Sequence, residues 1–195
     1  MATTIQNFFS KATQRQFSRD FLFRVKQVNL VGGFSFNGED ELVYARSAQF
    51  PARNIEDKEA NYAGQTFHVP GKSAYPGSNA YRIEFYHDEN IDLRVKFEGA
   101  SRAVFNNETT LGQYGMPGPE STITLSVIDK QLNEVGVIEL VGASIRDIDA
   151  IDHAIADGTG EIKTFGVTFA YHFYKDFSAG ADNTSATNPS ILGAI

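Results

Sequence analysis

The chain has 195 residues, 42% hydrophobic and 21% charged, a size and composition that predict one folded domain and exclude global disorder. It has no Cys, which excludes a disulfide framework, a thiolate zinc site and a cysteine nucleophile. With 24 acidic against 17 basic residues the net charge is −7, a sign that opposes a phosphate-gripping surface and favours a protein that nucleic acid does not stick to.

Residues 1–19 read as an N-terminal arm or short helix, with Ile5, Phe8 and Phe9 at helical spacing. No signal-peptide core precedes Ser18 and no apolar run has membrane-helix length, so the expectation is assembly in a cytoplasm without a membrane anchor. From Asp20 the pattern is extended. Phe21, Phe23 and Val25 share one parity, and Val28 and Leu30 take the other. That switch marks either a bulge or a strand covered on both faces. Leu42 to Phe50 reads as a strand stopped by Pro51.

Residues 51–80 read as a long loop punctuated by Pro51, Gly64, Pro70, Gly71, Pro76 and Gly77, with an extra strand conceivable at Gln65–Val69. It opens with Arg53, Ile55, Glu56, Asp57, Lys58 and Glu59, a mixed-charge run, and a long irregular segment of this kind in a compact domain is usually functional or mobile. Tyr81, Ile83, Phe85 and His87 alternate as a strand. Asn90 then caps a helix towards Val104, with Ile91/Val95 and Leu93/Phe97 on neighbouring turns. Residues 121–146 form a hairpin, and Thr164 to Tyr174 carries the cleanest period-two pattern in the chain. The polar sides of these strands, Thr122, Thr124 and Ser126 with Thr164 and Thr168, are either the solvent side of an antiparallel sheet or the wall of a channel. After Phe177 the composition becomes rich in Ser, Ala, Asn, Thr and Gly, so residues 178–195 read as a flexible tail dispensable for a domain over 20–177.

The elements add up to a mainly β fold with one main α-helix, an antiparallel β-barrel or sandwich. No catalytic, metal or cofactor site is expected. Gly71-Lys72-Ser73 lacks the upstream glycine of a phosphate loop, because Thr66 stands there. Asp147, Asp149, Asp152, His153 and Asp157 do not follow the calcium-loop pattern, and His68, His87, His153 and His172 are scattered. Asn107-Glu108-Thr109 and Asn183-Thr184-Ser185 match a glycosylation acceptor without a secretory signal.

The order of several stretches carries more than any one of them. They are Ser47-Ala48-Gln49-Phe50-Pro51-Ala52-Arg53-Asn54-Ile55-Glu56, then Val69-Pro70-Gly71, then His87-Asp88-Glu89-Asn90 before Arg94-Val95-Lys96-Phe97-Glu98, and Gly160 to Tyr171 near the end. Over residues 15–176 the chain resembles the tail tube proteins of contractile-tailed, T4-like bacteriophages (myoviruses). It departs from them at Glu98-Gly99-Ala100, where an aromatic residue is usual. The resemblance implies an Hcp-like barrel whose six-membered rings stack into a hollow tube in a virion tail, inside a contractile sheath. The implied partners are further copies of the chain, the sheath, baseplate and tail terminator proteins, and a tape-measure protein. Double-stranded DNA passes through the lumen without specific binding. On this reading strand pairing makes the ring and the 51–80 loop makes the ring-to-ring contact. A tube subunit of a bacterial contractile injection system, carrying effectors, fits the same residues. A monomeric β-barrel ligand-binding protein is the third reading.

Overall fold

The computed structural model describes residues 5–15, 18–39, 41–153 and 160–179. The chain runs through α1 (Ile5–Arg15), β1 (Phe23–Leu30), β2 (Phe34–Asn37), a 3-10 turn (Leu42–Tyr44) and β3 (Ala45–Ala48). It continues through β4 (Asn54–Tyr62), β5 (Gln65–Ala74), β6 (Tyr81–Tyr86), α2 (Asp92–Val104), β7 (Thr122–Ile128) and β8 (Glu134–Val141). It ends in β9 (Ser144–Ile148), β10 (Thr164–Ala170) and β11 (Phe173–Ala179).

Every strand pair is antiparallel. A five-stranded sheet ordered β11-β8-β7-β1-β2 faces a four-stranded sheet ordered β3-β6-β10-β9, and β4-β5 form a separate two-stranded sheet. The expected β-sandwich or barrel with a main helix is thus the observed architecture.

One apolar core joins the two large sheets. Val25, Val28, Ile123, Leu125, Ile138 and Leu140 come from the first, and Ile83, Phe85, Phe165, Val167 and Phe169 from the second. Phe97 of α2 sits at its centre, stacked on Phe36 with ring centroids 4.2 Å apart and contacting Phe85 and Phe169. Burying aromatic rings in such offset and edge-on contacts adds to the area they remove from water. The helix closes the barrel between β2, where Gly99 lies against the Phe34 ring, and the end of β9, where Arg94 Nη1 donates to the Asp149 carbonyl. Gly99 thus leaves room for Phe34.

The parity switch in β1 is a bulge between Val25 and Gln27. Several other expectations change. Asn90 does not cap α2. Ile91 occupies that position with φ 63°, and the Asp88 carboxylate accepts the Asp92 N–H at 2.9 Å. Of the two helical pairs, Leu93/Phe97 is buried while Ile91/Val95 is exposed. The predicted strand over 42–50 is a 3-10 turn followed by the four residues of β3. The returning strand from Val135 breaks at Gly142 (φ 72°), so β8 and β9 belong to different sheets. Likewise the 164–174 run divides between β10 and β11. Phe165, Val167, Phe169 and Tyr171 are buried as predicted, and Phe173 lies beyond the corner and is exposed. β11 extends to Ala179, whose backbone pairs with Gly136, so the edge of the sheet passes the predicted boundary at 177. The rest of the predicted tail lies outside the described residues, as do the acceptor at Asn183 and the metal-loop candidate Asp157.

Candidate functional site

Most of residues 51–80 is strand and not loop, and the conceivable strand at Gln65–Val69 is part of β5. β4 and β5 form a long hairpin joined by Ala63 (φ 50°) and Gly64 (φ 78°), two left-handed residues that make the tight turn whose twist suits paired strands. The signal for it is the alternation of Lys58, Ala60 and Tyr62 with Gln65, Phe67 and Val69 around that turn. Nearly every residue of both strands is exposed, so neither face of the hairpin is covered by the barrel.

Directly paired residues point to the same side of an antiparallel ladder. Lys58/Val69, Ala60/Phe67 and Tyr62/Gln65 therefore share one face, and Asp57/Pro70, Glu59/His68 and Asn61/Thr66 the other. A hydrogen bond of 2.8 Å from Thr66 Oγ1 to Asn61 Oδ1 lies on that second face. The first face carries Tyr62, Phe67 and Val69 at 77%, 49% and 50% exposure. The predicted charge run is thereby divided: Asp57 and Glu59 lie on the polar face, and Lys58 lies among apolar groups. Glu56 is half-buried and pairs with Lys72 at 3.3 Å, while Arg53 and Ile55 are exposed near the base. The Gly71-Lys72-Ser73 sequence is thus part of a strand.

The two outer faces of the barrel differ in chemistry. On the five-stranded sheet, Ser35 Oγ donates to Asn29 Oδ1 at 2.8 Å and Asn29 Nδ2 donates to Thr122 Oγ1 at 3.3 Å, an uncharged chain across β2, β1 and β7. Thr124 lies between Gln27 and Glu139 in register, and Glu139 is neutralised by Lys175 at 3.1 Å. Ser126 is fully buried, and its hydroxyl has no hydrogen-bond partner. On the four-stranded sheet, Thr164 and Thr168 are half-buried beside charged groups. Thr168 is in register with Arg82 and Asp147. Arg82 bridges Asp149 at 2.6 Å and Glu84 at 3.5 Å, and Arg46 stands 3.9 Å from Glu84. The Asp149 hydrogen bond, with the nearby carboxylates, holds the guanidinium above its ordinary pKa. Arg82 lies over Gly166, where any Cβ would collide with it. The five candidate polar positions therefore divide between the sheets, Thr122, Thr124 and Ser126 on the five-stranded one, where Thr122 and Ser126 are buried, and Thr164 and Thr168 on the four-stranded one.

Elsewhere, His87 and His153 meet edge-on at 5.9 Å, a proximity that sequence spacing did not show. They line a cavity of about 300 Å³ with Asp88, Glu89, Ile162 and Lys163. Among the described residues no cluster of three or more His, Asp or Glu side chains is placed to hold a metal ion, and no helix is long and apolar enough to cross a membrane.

No family model matches the sequence, and no curated protein matches it. The fold does match solved structures. A chain of an extracellular contractile injection system, from its PVC sheath–tube complex in the extended state, superposes with a TM-score of 0.54 at 14% identity, covering 91% of this chain and 99% of that one. A chain from the PVC sheath/tube terminator gives 0.55 at 12% identity, covering 85% and 99%. A chain from the tube-terminating cap of an anti-feeding prophage gives 0.54 at 14%, covering 85% and 93%. At such identities the likeness is one of fold, shared with chains of contractile assemblies.

Proposed function

We propose that this chain is the structural tube subunit of a contractile tail-like assembly, forming six-membered rings that stack into a hollow conduit. The observation that carries this is the β4–β5 hairpin, which stands off the barrel with an apolar face and a polar face both uncovered. A lone two-stranded hairpin is marginal in water, and exposed Tyr62, Phe67 and Val69 need a partner surface. Among the described residues the barrel also ends in edge strands at β2, β11, β3 and β9, which neighbouring copies would cover. The outer face of the five-stranded sheet, where Thr124 lies beside the Glu139–Lys175 ion pair, is the candidate lumen wall in this reading, its Ser35, Asn29 and Thr122 side chains bonded to one another. The Arg82 network on the other face is then turned towards the sheath.

The test is electron microscopy of the purified protein, with native mass spectrometry to count subunits. Rings of six and tubes are expected; a protein that stays monomeric at high concentration overturns the proposal. The double substitution Asp57→Lys, Glu59→Lys, which leaves the Glu56–Lys72 pair intact, is expected to leave the melting temperature nearly unchanged, since exposed charges add little to stability, and to stop stacking. Full-length tubes from that variant would remove these acids from the ring junction.

The cargo divides two readings, phage DNA with a tape-measure protein or the protein effectors of an injection system. The likeness to chains of an extracellular contractile injection system and an anti-feeding prophage favours the second.

A further inference from the structure

We infer that four tyrosines at the root of the β4–β5 hairpin, Tyr75, Tyr81, Tyr171 and Tyr174, are positioning residues that aim it at the next copy. The inference rests on the assembly proposed above and identifies what preorganises its contact surface.

The aim matters because the hairpin is a long lever. Strands of nine and ten residues carry its tip about 30 Å from the root, so a swing of about 10° shifts the tip by about 5 Å, more than a packed side-chain contact tolerates. Two irregular legs join the ribbon to the barrel, residues 49–53 before β4 and 75–80 after β5. Both strands are exposed along nearly their whole length, so the legs set the direction of the ribbon.

Each leg meets tyrosines. On the first, the Gln49 carbonyl accepts the Tyr81 hydroxyl at 2.7 Å. Tyr81 is buried at the start of β6, and its ring stands edge-on to that of Tyr171 at 5.8 Å. Burial, with Tyr171 alongside, raises the Tyr81 pKa above its ordinary 10.0, so the hydroxyl stays a donor at neutral pH. On the second leg, the Tyr75 ring meets that of Tyr174 edge-on at 5.4 Å, both half-buried against the core. The Ser78 carbonyl accepts the Tyr171 N–H at 2.8 Å, and the Asn79 carbonyl accepts Arg146 Nη1 at 3.1 Å. Tyr171 follows β10 and Tyr174 lies on β11, so both legs are fastened to the corner at which the chain passes from the four-stranded to the five-stranded sheet. A hairpin already held in its docking direction loses less freedom when it docks, which strengthens the contact without adding to it.

The absence of native Cys makes the test direct. Full-length chains carrying Gln65→Cys near the hairpin tip and Val95→Cys on the exposed side of α2 are spin-labelled. The distance between the labels is measured by pulsed electron paramagnetic resonance below the concentration at which the protein assembles. Tyr81→Phe, which removes one hydroxyl, and Tyr174→Leu, which removes one ring, are each expected to widen the distance distribution about twofold. Each is also expected to raise the protein concentration needed for assembly about tenfold. Tyr174→Phe keeps the ring and is expected to behave as the wild type. A second label pair within the barrel, Val95→Cys with Val135→Cys, is expected to keep its distribution in every variant, which separates a swinging hairpin from a loosened fold. Wild-type hairpin distances in Tyr81→Phe and Tyr174→Leu overturn the inference. So does a barrel pair that widens along with the hairpin, or a widened hairpin in chains that assemble at the wild-type concentration. All three leave the proposed function standing, whereas a wild-type protein that never assembles overturns both.

Discussion

Two hairpins of similar length lie in this molecule and have opposite fates. β7–β8 is the middle of a sheet, with Ile123, Leu125, Ile138 and Leu140 at 2% exposure or less. β4–β5 has equally regular pairing yet, among the described residues, stays exposed along nearly its whole length. Backbone hydrogen bonding is alike in the two, so it does not explain the difference. What differs is the density of apolar side chains: β7 and β8 present an unbroken apolar face to the core, while β4 offers Glu56, Asp57, Lys58 and Glu59 in succession. Ladder geometry makes a hairpin, but burial decides whether the hairpin is core or contact surface.

The comparison is broken most severely in the core. Phe97→Ala removes the ring on which Phe36, Phe85 and Phe169 converge, and is expected to cost about 3–5 kcal/mol in chemical denaturation. The same deletion on the projecting hairpin, Phe67→Ala, is expected to change the stability of the isolated chain by no more than about 0.5 kcal/mol. A large loss at Phe67 in the monomer would mean that the hairpin packs on its own barrel.

A smaller effect is expected on the outer face of the four-stranded sheet. Arg82→Ala removes a half-exposed guanidinium from Asp149 and Glu84 and should cost about 1 kcal/mol or less, shrinking further as salt is added. The same loss at low and high salt would show that Arg82 acts by packing over Gly166 and not by charge.

The smallest effect lies in the two turns. The projecting hairpin turns on two left-handed residues, whereas the buried one turns around Asp129, whose carboxylate accepts the N–H groups of Gln131 at 2.7 Å and Asn133 at 2.9 Å. These bonds, led by that from Asn133, lower the Asp129 pKa below its ordinary 3.8. A carboxylate depressed on folding stabilises above its unfolded pKa, and that contribution is lost as pH falls through the folded value. Titration by carboxyl NMR should place Asp129 below 3.8, and Asp129→Asn should flatten the fall in stability on acidification below that pH. An unshifted midpoint would show that the turn holds itself without the carboxylate.

Much of the barrel is legible in the residues. The period-two run from Phe165 to Tyr171 is a buried stripe, the parity switch after Val25 is a bulge, and Leu93/Phe97 is the core side of the main helix. The candidate surface is less so. The prolines and glycines of 51–80 suggest a loop, because Pro70 and Gly71 are poor strand residues; an uncovered two-stranded ribbon tolerates them on its outer edge. Asn90 looks like a cap by type, yet the carboxylate at Asp88 is the group placed to accept the Asp92 N–H.

Alternation and turn chemistry are properties of a few neighbouring residues, so the sequence by itself determined that this chain forms antiparallel strands around one helix and which side of most strands is apolar. It did not determine that Gly142 and the Tyr171–His172 corner would pass strands from one sheet to the other, because a corner is defined by what the next segment packs against. Nor did it determine that Thr124 and Thr168 would lie on different sheets, each turned from the shared core. A polar face marks the side turned from the core, but which outward direction that is depends on the sheet to which the strand belongs, and only the packing of β7 and β10 across a shared core decides it.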